Sequence, residues 1–412
     1  MHLTRGLEVL QTLPDTPQRA QQELHLQTAL GPALIATKGY AASAVEHTYT
    51  RARALCQQSG ETPGLFSALR GLWVFNEARA EHQTARQLGA QLLTLAQTLQ
   101  DPMFLVEAHR ALGNTLFWLG EFASARTYLE QGMALYDPQQ HRSLAFLYGT
   151  DPGVVCLSYT AWSLWLLGYA DQALQKSDEA LALAQRMSHF HSLALALTWA
   201  IYLHQARGEL LVVQERVEAL VALAAEQRFP YWLALGTILG GWALSQQRQA
   251  AVGIAQMQQG LAAYRATGAE LFRTYWLALL AEAYGTAGQV QEGLQALDEA
   301  LALVDKNGER YWEAELYRRK GELVLQSRVW GAEQAAEVCL QQALAVARRQ
   351  QAKALELRAA LSLSRLWYQQ GKRAEVYRLL AEAYGWFTEG FATADLQKAK
   401  TLLDMLHGED GR

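Results

Sequence analysis

The stretch ALGNTLFWLGEFASARTYLEQGMALYDP, Ala111 to Pro138, decides the reading of the whole chain. It runs as a helix, a tight turn at Leu119-Gly120-Glu121, and a second helix that stops at a proline. A second stretch, AWSLWLLGYADQALQKSDEALALAQ from Ala161 to Gln185, repeats the pattern in different letters. Aligned on the turn, the series continues as Gly39, Ala80, Gly120, Gly168, Gly208, Arg248, Gly288, Gly331 and Gly371. Most steps are about 40 residues, and a fixed period of that size marks stacked helical hairpins. Glycine suits these turns because a helix commonly ends on a residue at positive φ, which costs a residue with a Cβ about 1 kcal/mol or more. Ala80 and Arg248 break that rule.

Five residues after each turn stands a small or modest side chain, Ala85, Ala125, Ala173 and Ala336 among them, and seven further on another, such as Leu92, Gly132 and Ala343. Two positions that far apart share one helical face. The second helix of each pair is therefore the packing helix. Breakers such as SGETPG, LQDP, YDPQ, QRFP, ATGAE and DKNGE separate the hairpins, and Pro32 is expected to kink or restart the first one. A lone hairpin cannot bury its apolar face, so stacking makes the core. If each repeat touches mainly its neighbours, deleting residues 209–248 should leave a shorter folded array.

Composition agrees. Half the 412 residues are hydrophobic and only 18% are charged, as helices packed on both sides require. With 36 Lys plus Arg against 40 Asp plus Glu, nothing draws the chain to nucleic acid or to an anionic membrane. The first residues lack a signal peptide's apolar core, and no apolar run is long enough to span a bilayer, so a cytoplasmic location is expected. Cys56, Cys156 and Cys339 are too dispersed for disulfides or zinc and read as core residues.

The grammar of Leu112, Gly113, Leu116, Gly120, Ala125 and Pro138 resembles the tetratricopeptide repeat, in a long-helix form. The segment ALYDPQQHRSLAFLYGTDPGVVCLSYTAWSLWLLGYADQAL resembles the C-terminal repeat region of bacterial signalling proteins in which a nucleotide cyclase or kinase precedes an AAA-type ATPase. With the turn series, the resemblance implies an all-α, right-handed superhelical solenoid of about nine hairpins plus end helices. Residues 1–16 read as the end of an upstream repeat helix, 17–388 as the array with an insertion at 137–153, and 389–412 as a capping helix and tail. It further implies that the first helices line the concave surface.

On that surface the expected inward-facing residues are Arg70 and Glu77; Arg110, Asn114 and Trp118; Trp162 and Trp165; Tyr202; Trp242; Tyr275 and Glu282; Arg318 and Glu322; Arg358, Arg365 and Tyr368. Arginine forks onto carboxylates and aromatic rings give anchoring area, so the mixture suits a protein or peptide segment carrying acidic groups. The partner-binding candidates are Arg70, Arg110, Asn114, Trp118, Trp162 and Trp165, joined by His141, Arg142 and Tyr148 from the insertion. The competing reading makes the tryptophans core filler. A second rival, in the manner of maltose-regulator arrays, makes the aromatic groove a small-ligand sensor.

No catalytic residue, cofactor or metal is expected. GKR at Gly371 lacks the glycine spacing and hydroxyl of a phosphate loop, and His189 and His191 stand two apart with no third ligand. The expected role is a non-catalytic interaction and sensing module that regulates an ATPase or cyclase. The sequence carries no sign of its oligomeric state.

Overall fold

The computed structural model describes residues 2–410, which are 82% helical in 21 helices without a strand. Helix α1 (His2–Gln11) precedes three hairpins: α2 (Pro17–Lys38) with α3 (Ser43–Ser59), α4 (Thr62–Ala78) with α5 (His82–Leu99), and α6 (Pro102–Trp118) with α7 (Phe122–Leu135). The short α8 (Arg142–Tyr148) interrupts the series. Then come α9 (Pro152–Leu166) with α10 (Ala170–Met187), α11 (Phe190–Arg207) with α12 (Leu210–Gln227), and α13 (Pro230–Gln246) with α14 (Ala250–Ala266). The last three pairs are α15 (Arg273–Thr286) with α16 (Val290–Asn307), α17 (Glu313–Ser327) with α18 (Ala332–Arg349), and α19 (Lys353–Gln369) with α20 (Arg373–Gly385). Helix α21 (Ala394–Asp410) packs on α20 and α19. The architecture is the right-handed, tetratricopeptide-like superhelix of nine hairpins.

Every turn of the sequence series sits at positive φ, including the two non-glycines, Ala80 at 57° and Arg248 at 65°. The turn geometry thus outranks the residue preference, at a cost those two sites bear. Prolines open α2, α4, α6, α9 and α13, where the missing N–H is not needed. Helix α2 does not restart at Pro32; it runs through it. The small positions five after the turn are buried in eight hairpins. The first hairpin is shifted by one, with Val45 and Ala52 wholly buried in place of Ala44 and Arg51, because its turn Gly39-Ala42 is longer. Helices α13 and α14 approach so closely that a Cβ at Gly253 would lie 2.4 Å from the Gly241 carbonyl oxygen. Neither glycine can become alanine without parting the pair.

Contacts run mainly between neighbouring helices, as expected, but they do not stop there. The Ala78 carbonyl, at the end of α4, accepts from the N–H groups of Glu270 and Leu271 at 2.9 and 3.2 Å. The Trp118 carbonyl, at the end of α6, accepts from Arg310 and Tyr311 at the same two distances. The junctions that make these bonds, Gly268-Ala269-Glu270-Leu271-Phe272 and Gly308-Glu309-Arg310-Tyr311-Trp312, are the proline-free breakers of the sequence. Further along, Glu389 accepts from the N–H groups of Asp171 and Gln172 at 2.9 and 3.1 Å. The superhelix therefore winds tightly enough for turns of its first half to bond junctions of its second. Removing residues 209–248 would put different residues opposite one another across the axis.

Candidate functional site

Winding that closes the axis turns most of the concave surface into core. Phe117, Trp118, Tyr159, Trp199, Tyr202, Phe272, Tyr275, Trp276 and Tyr311 meet there edge to face or tilted, with centroids such as Trp118–Phe272 at 4.5 Å and Tyr159–Trp199 at 4.1 Å. Trp162 stacks on Trp165 at 5.3 Å and on Trp312 at 5.9 Å. Trp118, Trp162 and Trp165 are thus buried packing residues rather than groove-lining ones.

The first arginine ladder is folded inside as well. Arg70 and Arg110 are 1% and 4% exposed, and both reach Glu107 at 3.1 Å, itself fully buried. Burial acts to raise the Glu107 carboxyl, but Arg110 and Arg70 outweigh it and hold the group below its usual range. The insertion seals the cluster. Arg70 donates to the Tyr148 carbonyl at 2.9 Å and lies 4.7 Å from the Tyr148 ring, while Arg110 donates to the Thr150 hydroxyl at 3.1 Å. His141 is buried and its Nδ1 accepts from the Asp137 N–H. Asn114 is buried; Arg142 alone of the nine candidates is exposed. The structure therefore brings Arg70, Arg110, Asn114, Tyr148 and the insertion together, but as an interior cluster. The extra residues fold as a separate short helix, α8, and do not lengthen α9.

The open part of the concave surface lies further along the chain. A polar cleft of about 460 Å³ is lined by the first helices α11, α13, α15, α17 and α19 and closed on one side by α21. At its floor Arg318 forks onto Glu315, with Nε to Oε2 at 2.7 Å, and donates to the Ser362 hydroxyl at 3.2 Å. Arg319 bridges Glu315 at 3.0 Å and Glu282 at 3.1 Å, and the indole of Trp242 donates to Glu282 at 3.1 Å. Burial would raise Glu315, yet Arg318 and Arg319 hold it well below the usual carboxylate range. Arg358 pairs with Asp395 of α21 at 2.7 Å, donates to the Ala206 carbonyl and lies 4.9 Å from the Trp165 ring. Above this floor stand Arg365 and Lys398, both exposed and, among the described residues, neither in an ion pair, although Lys398 is close enough to act on Asp395.

Sequence reasoning placed Trp242, Glu282, Arg318, Glu322, Arg358 and Arg365 on the concave face, and all six line this cleft. It missed Glu107, although the i, i+3 spacing to Arg110 was a usable signal. It missed Asp395 and Lys398, which reach the cleft from a helix far away in sequence. Among the described residues no group of three His, Cys, Asp or Glu side chains could hold a metal, and no helix is long and apolar enough to cross a membrane.

No family model matches the sequence. An uncharacterized protein of Rhizobium meliloti (strain 1021) is 25% identical over 368 residues, which are 88% of this chain but 35% of that protein. The chain thus spans about a third of that relative's length. Among solved structures, the Rap protein complexed with competence and sporulation factor superposes with a TM-score of 0.61 at 10% identity, over 84% of this chain and 92% of Rap. Cut9, from the APC/C hetero-tetramer Cut9–Hcn1, follows with a TM-score of 0.54 at 16% identity, over 86% of this chain and 59% of its own. What the chain shares with both is the fold, a tetratricopeptide-like helical solenoid.

Proposed function

We propose that the chain is a non-catalytic interaction module whose polar cleft holds an extended protein or peptide segment bearing carboxylates. The observation that carries this reading is the pair Arg365 and Lys398, two exposed cations that form no ion pair among the described residues, above a floor whose arginines are already matched by carboxylates. A bound carboxylate meets a fork donor and an ammonium there, and the floor network presents preset side chains that need no ordering on binding. Two fold relatives were solved with a bound peptide factor or protein partner, Rap and Cut9, and this supports the reading by analogy. The resemblance to cyclase–ATPase–repeat proteins extends it: binding in the cleft would regulate a catalytic domain carried on the same or another chain.

The test is fluorescence anisotropy with a labelled glutamate-rich peptide and a lysine-rich control. The glutamate peptide should bind in a salt-sensitive way, and Arg365→Glu with Lys398→Glu should weaken it by about 1–3 kcal/mol while leaving the melting temperature unchanged. Equal binding of both peptides, or no effect of the double variant, sinks the proposal.

A further inference from the structure

A second cavity, distinct from the cleft, lies inside the closed part of the superhelix where α4, α6, α9, α11 and α13 converge. Its volume is about 60 Å³, room for several waters or for one organic molecule of a few heavy atoms. The wall is amphipathic. Trp199, Trp232, Phe272 and Leu235 give it apolar faces. Glu77, Arg110, Asn114 and Tyr202 also line it, and each is more than nine-tenths buried with an atom that has no hydrogen-bond partner among the described residues: Glu77 Oε1, Arg110 Nε, Asn114 Oδ1 and the Tyr202 hydroxyl; the Glu77 carboxyl also faces the Trp118 and Asn114 side chains. Buried polar atoms are normally paired, so four of them on residues that line one space point to a polar guest there.

The chemistry of that occupant follows from the charges around it. Arg70 and Arg110 are balanced by Glu107 and by Asp151, which acts on Arg110 from the start of α9. An added anion would be buried without a free counterion, and a cation would find only Glu77, which burial keeps protonated. We propose that this cavity is a binding site for a small uncharged molecule, an amide or alcohol of a few heavy atoms, whose head bonds Asn114, Arg110 and Glu77 while its body lies against Trp199 and Phe272. Arg110 Nε donates to the head's oxygen, and Asn114 Oδ1 accepts from its N–H or O–H. Glu77, kept protonated by burial that pushes it up to about 8 against the pull of Arg110 and Arg70, adds a second donor. All the lining residues are buried except Tyr40, from the first hairpin's turn, which is partly exposed.

Saturation-transfer NMR on the full chain, with propionamide as the probe and propionate and ethylammonium as charged analogues of the same size, tests the assignment. Propionamide should show saturable binding with a dissociation constant on the order of millimolar, and the two ions none. Leu195→Phe, which fills the space, and Asn114→Leu, which deletes the acceptor, should each weaken it by roughly tenfold or more. Glu77 faces Arg70, Arg110 and the phenols of Tyr40, Tyr159 and Tyr231, all of whose phenols burial raises, so Glu77 is the group that loses its proton between pH 7 and 9. Wild-type binding should therefore fall over that range, while Glu77→Gln, neutral at both, keeps its affinity. The proposal is overturned by any of three results: no saturable binding, equal binding by a correctly folded Leu195→Phe variant, or a crystal structure soaked in propionamide that shows ordered waters only.

Discussion

The molecule contains the same device twice, with opposite outcomes. Arg70 and Arg110 stand one repeat apart on adjacent first helices, as do Arg318 and Arg358. The first pair is sealed by α8 and shares one wholly buried carboxylate. The second pair meets acids from its own helix and from α21, and it floors an open cleft. Residue type and repeat position did not separate the two pairs. What separates them is the covering segment: the insertion lies over one ladder, whereas α21 only borders the other on one side. The lesson is that an inward-facing polar residue in a helical array is a contact residue only where the winding leaves the axis open.

This contrast is breakable by mutation. The largest expected effect is at Glu107, whose loss strands two buried guanidinium groups. Glu107→Gln should lower stability by about 3–5 kcal/mol in urea unfolding, because breaking a buried ion pair leaves uncompensated charge. In the open region Asp395→Asn should cost about 1 kcal/mol or less, since Arg358 keeps the Ala206 carbonyl, the Trp165 ring and some solvent. Similar losses for the two variants would erase the distinction between sealed and open.

Acid and base should also act on opposite halves. Glu77 is raised by burial from 4.5 to about 8, so the folded protein holds a proton there that the unfolded chain releases above 4.5. Stability should fall as pH rises from about 4.5 to 8, and Glu77→Gln should flatten that slope. Glu315 is lowered, so its contribution is complete above about 4.5 and is lost as pH falls below it; Glu315→Gln should remove that acid limb. Hydrogen exchange of α6 against α17 at pH 5 and pH 8 would show whether each limb belongs to its own half. The smallest effect is at the rim, where Arg365→Ala should change stability by no more than about 0.5 kcal/mol, as expected for an exposed charge.

The hairpins were legible in the sequence because their signals are local: turn residues, small packing positions and junction breakers all lie within one repeat. Even Ala80 and Arg248, which violate the glycine preference, were found by their spacing. The interior was not legible, because it depends on superhelical pitch, a quantity set by many small interhelical angles with no local signature. Trp118 looks the same in sequence whether it lines a groove or meets Phe272 across the axis. The insertion was seen as an anomaly in spacing, but its role as a cover over Arg70 depends on the Tyr148 carbonyl, which any residue would supply. Asp395 and Lys398 carried no repeat register at all.

The two backbone clasps, at Ala78 and at Trp118, bear on how such a chain can change over generations. Open solenoids gain and lose repeats freely, since a duplicated unit only needs neighbours that fit. Here a duplication or loss between the fourth and sixth hairpins would move Glu270 and Arg310 out of register with the carbonyls they meet. Novelty in this part of the chain is therefore confined to point changes and to loops that leave the helical register alone, and the one irregular segment of the array, α8, is of that kind.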